Sequence, residues 1–380
     1  MHSSGFDFQP RTRVVFGAES LDRIGELARE LGARHALLVT DKGIVAAGHP
    51  ARAIGFLEAA GLHVTPYDAV RENPTTVDVD RCVEAARQAG IDLIIGLGGG
   101  SSMDTAKGCN FLLTNGGRMQ DYRGVGKATK PMLPLIAVPT TAGTGSECQS
   151  FALISDEETH QKMACGDAKA AAKVALLDPL LTVSQPERVT ACTGVDTLAH
   201  AVETAVTKRR TPLSAMYSDE AFRLCIGGLE RVLRDPRDLE ARAMMQLGAA
   251  FAGTAIENSM LGAAHAAANP LTARYGMVHG QAVGLMLPAV VGFNARDPEA
   301  KGRYHELAAE VDLGPIDELI EELDTILEVA GMREGLAKFK IERADYPQLA
   351  QEAAKQWTAT FNPRPIAAED FERLYEEVFG

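Results

Sequence analysis

From position 91 to position 107 the chain reads IDLIIGLGGGSSMDTAK: a continuous apolar run, three glycines in a row, then a helical pattern. An unbroken apolar run of this length marks a strand buried on both faces, and such a strand needs helices above and below it. The N-terminal half supplies both kinds of element. RVVFG, HALLVTD, HVTPYD, PLIAVPT and VALLDP read as further strands, and GELARELG, ARAIGFLEAAG, VEAARQAG and MDTAKGCNFLLTN as the helices between them. That alternation predicts an α/β domain built on a mostly parallel, Rossmann-like sheet. The polar stretch SDEETHQK reads as the turn of a hairpin. Beyond VALLDP the patterns are almost entirely helical, so the boundary is expected near Pro186: an α/β domain over 1–185 and an all-α domain over 186–380.

The glycine triplet Gly98, Gly99, Gly100 is placed where a strand gives way to a helix. Glycines let backbone N–H groups approach an anion closely, and the helix N-terminus adds partial positive charge. Ser101 or Ser102 is in position to cap that helix. The run is neither GxxxxGK[ST] nor GxGxxG, and a glycine triplet equally suits a plain tight turn. PLIAVPTTAGTGSE repeats the pattern, with a buried strand followed by small hydroxyl residues. Thr140, Thr141, Thr144 and Ser146 can hydrogen-bond a ribose, an amide or a phosphate, or simply their own loop.

In the helical half, GVDTLAHAVE sets Asp196 and His200 four residues apart, one above the other on a helix face. His265 and His279 lie in LGAAHAAANPLTARYGMVHGQAVG, where Pro270 and Gly276 argue against one straight helix. These imidazoles must therefore meet the first pair by tertiary packing. Three imidazoles and one carboxylate suit Zn or Fe(II), whereas Ca and Mg draw mostly on oxygen. Taken singly, each residue has a plainer reading: a surface ion pair for Asp196 and His200, a core histidine for His265, a helix end for His279.

Taken together, GGGSSMDTAK, VPTTAGTGSE, DTLAHAVE and the spaced HAAANPL and VHGQAVG segments resemble the iron-containing, group III alcohol dehydrogenases of the dehydroquinate synthase-like superfamily. The likeness runs from RVVFGAESL through LLVTDKGI and VRENPT to FNPRP. It implies a two-domain fold and hydride transfer between NAD(H) and a small alcohol or aldehyde. It further implies that Asp196, His200, His265 and His279 ligate the catalytic iron or zinc, and that Gly99, Gly100 and Ser101 hold the pyrophosphate. By the same likeness Thr140, Thr141, Thr144 and Lys162 contact the rest of the dinucleotide, with Gly98, Ser102 and Asn73 beside them. Asp41 falls where an acidic residue would bond the adenosine ribose and repel a 2′-phosphate, favouring NAD over NADP. Two positions depart from the family pattern. Asn269 stands where many members carry a proton-relaying histidine, and Ile256 where aromatic residues are common. Related readings stay open: a maleylacetate reductase-like or dehydroquinate synthase-like enzyme, or a catalytically silent nucleotide- or metal-binding protein. A dehydroquinate synthase-like lyase would want basic residues for a phosphorylated acid, yet Arg274 is the main one near these segments.

A net charge of −13 argues against nucleic acid or an anionic membrane as a partner. Six scattered cysteines without a CxxC pair indicate neither a disulfide framework nor a thiolate metal site, which fits a cytoplasmic protein. The N-terminus lacks a signal-peptide pattern, and LMLPAVVGF is short and interrupted by Pro288. Family habit implies a homodimer or a higher homo-oligomer.

Overall fold

The computed structural model describes residues 5–159 and 161–380. Its chain forms two compact units: Gln9–Gln185, and Pro186–Gly380 together with the N-terminal segment ending at Phe8.

In the first unit the strands are β1 (Arg13–Phe16), β2 (His35–Val39), β3 (His63–Tyr67), β4 (Leu93–Gly98), β5 (Gly124–Val125), β6 (Leu135–Pro139), β7 (Phe151–Ser155), β8 (Lys162–Gly166) and β9 (Val174–Leu177). The helices are α1 (Ile24–Glu30), α2 (Lys42–Ala46), α3 (His49–Ala59), α4 (Thr76–Ala89) and α5 (Gly100–Asn115). Six strands form one sheet in the order β1-β9-β6-β4-β2-β3, every pairing parallel. All six are among the strands picked out in the sequence. Alternate residues serve opposite faces: Leu37, Val39, Ile94 and Ala137 join one core cluster, while Ala36, Leu38, Ile95 and Val138 join the other. A strand buried on both sides has no polar face to alternate with.

β3 and β4 flank β2 on opposite sides, so the winding reverses between β2 and β4. Ligands of open parallel sheets bind outside the carboxyl ends of the strands at such a reversal. Asp41 follows β2 and the glycine triplet closes β4, so both lie at that place. The hairpin expected around SDEETHQK is present, as β7 and β8 pair antiparallel. The two-residue β5 adds a third strand to this small sheet, which no pattern in the sequence announced.

The second unit contains α6 (Glu187–Thr204), α7 (Pro212–Arg234), α8 (Leu239–Ser259), α9 (Ala263–Tyr275), α10 (His279–Asn294), α11 (Pro298–Ala309), α12 (Ile316–Val329), α13 (Tyr346–Ala354) and α14 (Ala368–Phe379). The break between His265 and His279 falls at Gly276, whose positive φ of 64° ends α9. Pro270 does not make the break and lies inside α9. Pro288 likewise lies inside α10, so LMLPAVVGF is part of a continuous helix. Proline's fixed φ is compatible with a helix, and the cost is one missing N–H donor and crowding of the preceding turn. α12 is amphipathic as its sequence suggests, burying Leu319, Leu323, Ile326 and Leu327.

Candidate active site

α5 begins directly after Gly99, and neither serine caps it, contrary to expectation. Both belong to its first turn. Ser101 Oγ accepts a hydrogen bond from the backbone N–H of Asn73 at 3.3 Å, which draws the RENP loop onto the turn. Asn73 itself takes a left-handed φ of 51°. The Ser102 hydroxyl is buried without a hydrogen-bond partner, and so is that of Thr140. Gly98 has a φ of 152°, and a Cβ there would lie 2.4 Å from Ser102 Oγ. A Cβ on Gly99 would lie 3.3 Å from Thr141 Cγ2, and one on Gly100 2.8 Å from Thr144 Cγ2. The threonine loop is therefore laid against the glycine turn at a distance that only glycine permits.

Asp41 has two roles in this region. Its Oδ1 accepts from Ile44 N–H at 3.0 Å and caps α2, and its Oδ2 would be 3.5 Å from a Cβ on Gly98. Lys162 is exposed at the start of β8. Burial raises the carboxyl of Asp104, while Lys107 and Lys162 pull against that rise, which puts Lys162 within electrostatic reach of α5. The sequence reading missed Lys107. Fully buried on α5, it donates to Ser146 O at 2.6 Å, Ser146 Oγ at 2.8 Å and Phe151 O at 3.0 Å. All three ammonium protons are thus engaged, and they hold the loop after Thr144 to the glycine helix.

In the second unit α6 is buried almost all round from Thr190 to Thr204, as its Ala-, Val- and Leu-rich sequence requires. It presents Asp196 and His200 one turn apart, with Asp196 Oδ1 3.5 Å from His200 Nε2. The first turn of α9 brings His265 Nε2 to 3.5 Å from the same oxygen, and His279, the first residue of α10, brings its Nε2 to 3.8 Å. The His200 and His265 rings stack at 4.8 Å, and those of His265 and His279 are 5.3 Å apart. The donor atoms of Asp196, His265 and His279 all lie within 4.8 Å of one another.

These spacings suit one ion, since ligand bonds of about 2.1 Å in tetrahedral array leave donor atoms about 3.4 Å apart. Two buried atoms of the set, Asp196 Oδ1 and His265 Nε2, have no hydrogen-bond partner. That is the expected state of atoms reserved for a cation. Burial alone would raise the Asp196 carboxyl, but the imidazoles of His200, His265 and His279 outweigh it and hold the group well below the usual carboxylate range. Burial alone would lower His265, yet Glu203 and Asp196 lift it to about 9. Glu203 is the other residue missed. Its signal was available, since it closes the DTLAHAVE run seven residues after Asp196 on the same helix face.

Asn269 donates from its amide to Gln356 Oε1 at 3.1 Å. Ile256 is buried on α8, and Arg274 pairs with Glu352. Arg188 of α6 donates to Gln281, two residues past His279, at 2.6 Å.

A nucleotide-type crevice in one unit and an imidazole–carboxylate cluster in the other define a metal-dependent oxidoreductase. The chain belongs to the iron-containing alcohol dehydrogenase family. Residues 10–179 match the profile "Iron-containing alcohol dehydrogenase", and residues 190–379 match "Fe-containing alcohol dehydrogenase family, C-terminal". The chain is 35% identical over 358 residues to alcohol dehydrogenase 4 of Schizosaccharomyces pombe, covering 92% of this chain and 83% of the relative. It is 32% identical over 366 residues to the NAD-dependent methanol dehydrogenase of Bacillus methanolicus, covering 95% and 96%. Among solved structures, a 1,3-propanediol oxidoreductase superposes with a TM-score of 0.93 at 31% identity, covering 99% of this chain and 100% of the other.

Proposed function

We propose that this alcohol dehydrogenase uses NAD, that Asp196, His200, His265 and His279 hold its metal, and that its substrates are small alcohols and the matching aldehydes. The observation that carries the reading is the meeting of three imidazoles on one carboxylate oxygen from α6, α9 and α10. The donor set suits Fe(II) and Zn, and family membership favours iron. Bound there, such an ion supplies Lewis acidity toward an alcohol or carbonyl oxygen.

The protein's own groups do the rest. Backbone N–H groups of Gly99 to Ser101 at the head of α5 seat the pyrophosphate, and the unpartnered hydroxyls of Ser102 and Thr140 are further donors at that turn. Gly98 keeps the turn open, with Thr141, Thr144, Lys162 and Asn73 around the remainder of the dinucleotide. Asn269 cannot relay a proton as imidazole does, so the proton leaves by water or by the ribose hydroxyls. The test is reduction of NAD with a panel of short primary alcohols and diols, after loading with Fe(II) or Zn. Metal-dependent NADH formation is expected, and no turnover with any alcohol in either metal form would overturn the reading.

Asp41 sets the cofactor preference in this scheme. Asn caps helices as well as Asp does, so Asp41→Asn keeps α2 and removes only the charge. The ratio of NADP to NAD use, measured as kcat/KM, is expected to rise on the order of tenfold, about 1.4 kcal/mol. An unchanged ratio would remove Asp41 from the ribose site.

One feature of the sheet favours a homodimer. β1 is an edge strand that exposes Val14 and Phe16, an edge suited to a second copy. Among the described residues no disulfide joins the six cysteines, and no helix is long and apolar enough to cross a membrane.

A further inference from the structure

Glu203 touches α9 at two points. Its Oε2 accepts from His265 Nδ1, and its Oε1 accepts from the backbone N–H of Ala264 at 2.7 Å. Gly262, at the N-cap of α9, offers no side chain to the free N–H groups of the first turn. A Cβ on that glycine would lie 3.0 Å from Glu203 Oε1 and 3.1 Å from Asn362 Oδ1. Asn362, from the FNPRP segment, accepts from Ala263 N–H at 3.3 Å. Two side chains from elsewhere in the unit therefore cap α9, and one of them also bonds its histidine.

The network extends further. Asn362 Nδ2 donates to Asn294 Oδ1 at 2.7 Å and to Arg364 O at 2.8 Å, and Asn294 Nδ2 returns a bond to Asn362 Oδ1 at 3.1 Å. Asn294 is the last residue of α10, the helix that begins at His279. Glu203, Asn362 and Asn294 are all at most 3% exposed. A buried polar chain thus runs from the helix of Asp196 and His200, through the start of the His265 helix, to the end of the His279 helix.

Chemistry narrows what Glu203 can do. Glu203 accepts at both carboxylate oxygens, so His265 Nδ1 carries a proton, and a cation beside Asp196 would take the place of any proton on Nε2, the nitrogen turned toward that carboxylate. A metal-bound imidazole is held in this way when an outer carboxylate fixes its tautomer and tilt. Glutamine at 203 could not serve both groups. With its oxygen toward His265 it turns a donor toward Ala264 N–H, and with its amide toward His265 it forces the proton onto Nε2.

We propose that Glu203, steadied by Asn362, is the positioning residue that presents His265 Nε2 to the metal. The inference rests on the metal reading given under Proposed function, and the test separates the two. Metal-free protein is titrated with Co(II), reading the visible spectrum and the affinity against a competing chelator. Wild-type protein is expected to bind one Co(II) per chain, and His265→Ala to bind it far more weakly. Glu203→Gln is expected to lose about 10- to 100-fold in Co(II) affinity with an altered spectrum, while its NAD affinity stays at the wild-type level. Glu203→Asp should recover part of both, because a carboxylate is restored on a shorter arm. Asn362→Ala should lose less than Glu203→Gln, since it leaves the bond to His265 in place.

Wild-type affinity and spectrum in Glu203→Gln would overturn the positioning role while leaving the metal site intact. Absence of Co(II) binding in the wild type would overturn the metal reading, and this inference with it. If the glutamine variant fails to fold, the aspartate variant decides: affinity below wild type supports the role, and wild-type affinity overturns it.

Discussion

His279→Ala is expected to strip the protein of bound metal and of turnover while leaving NAD affinity unchanged. Of the four clustered side chains, Asp196 and His265 are within the buried interior, and His279 is 31% exposed. Truncating it therefore leaves no dry cavity, and the fold should survive the change. The loss in metal affinity should exceed the about 10- to 100-fold typical of an outer partner, because a donor itself is removed. Turnover should fall with occupancy. NAD binding is the internal control, since the glycine turn and the threonine loop belong to residues 9–185. Metal per chain, NAD titration and alcohol oxidation, measured on one preparation, decide the matter. Full turnover without metal would instead point to chemistry like that of the maleylacetate reductases.

A second large effect is expected at the neighbouring position. A Cβ on Gly280 would fall 2.0 Å from the carbonyl oxygen of Cys192 and 2.8 Å from its carbonyl carbon. Both atoms are backbone of α6, so no rotamer change relieves the overlap, and the two helices must part. The Cβ of Asp196 is next in line at 3.3 Å, so the displacement is delivered to the cluster itself. Gly280→Ala should cost about 3 kcal/mol or more in unfolding free energy and weaken metal binding as well. Gly302→Ala on α11, where a Cβ would meet nothing within 4 Å, is the matched control. It should be neutral or stabilising by up to about 1 kcal/mol. Equal melting temperatures for the two variants would show that α6 and α10 do not meet as closely as described.

Much of this was legible in the chain. Strands buried on both faces leave continuous apolar runs, which marked the four inner strands of the large sheet, β9, β6, β4 and β2, while the exposed edge strands β1 and β3 were marked by their β-branched and aromatic residues. The Asp196–His200 pair was legible because a helix fixes its own spacing. Less accessible was whatever depends on two segments meeting. The bonds of Glu203 to Ala264 and His265 span 61 and 62 positions, and no periodicity reports them. Lys107 looks like any lysine in a helix until its acceptors on Ser146 and Phe151 are placed. Ser101 and Ser102 misled for the opposite reason. Local preference assigns a serine beside a helix start to capping, but Gly99 already fills that place and the RENP loop claims Ser101. Pro270 and Pro288 misled similarly, because a helix packed by its neighbours tolerates a proline that an isolated one would not.

Asp196, His200 and His265 have side chains only 5–6% accessible, whereas that of His279 is 31% accessible. Of the four, His279 is the one that a water-borne reagent meets most readily. A histidine-directed label is therefore expected to mark His279 ahead of His200 and His265, so the order of labelling reports on the cluster without any substitution.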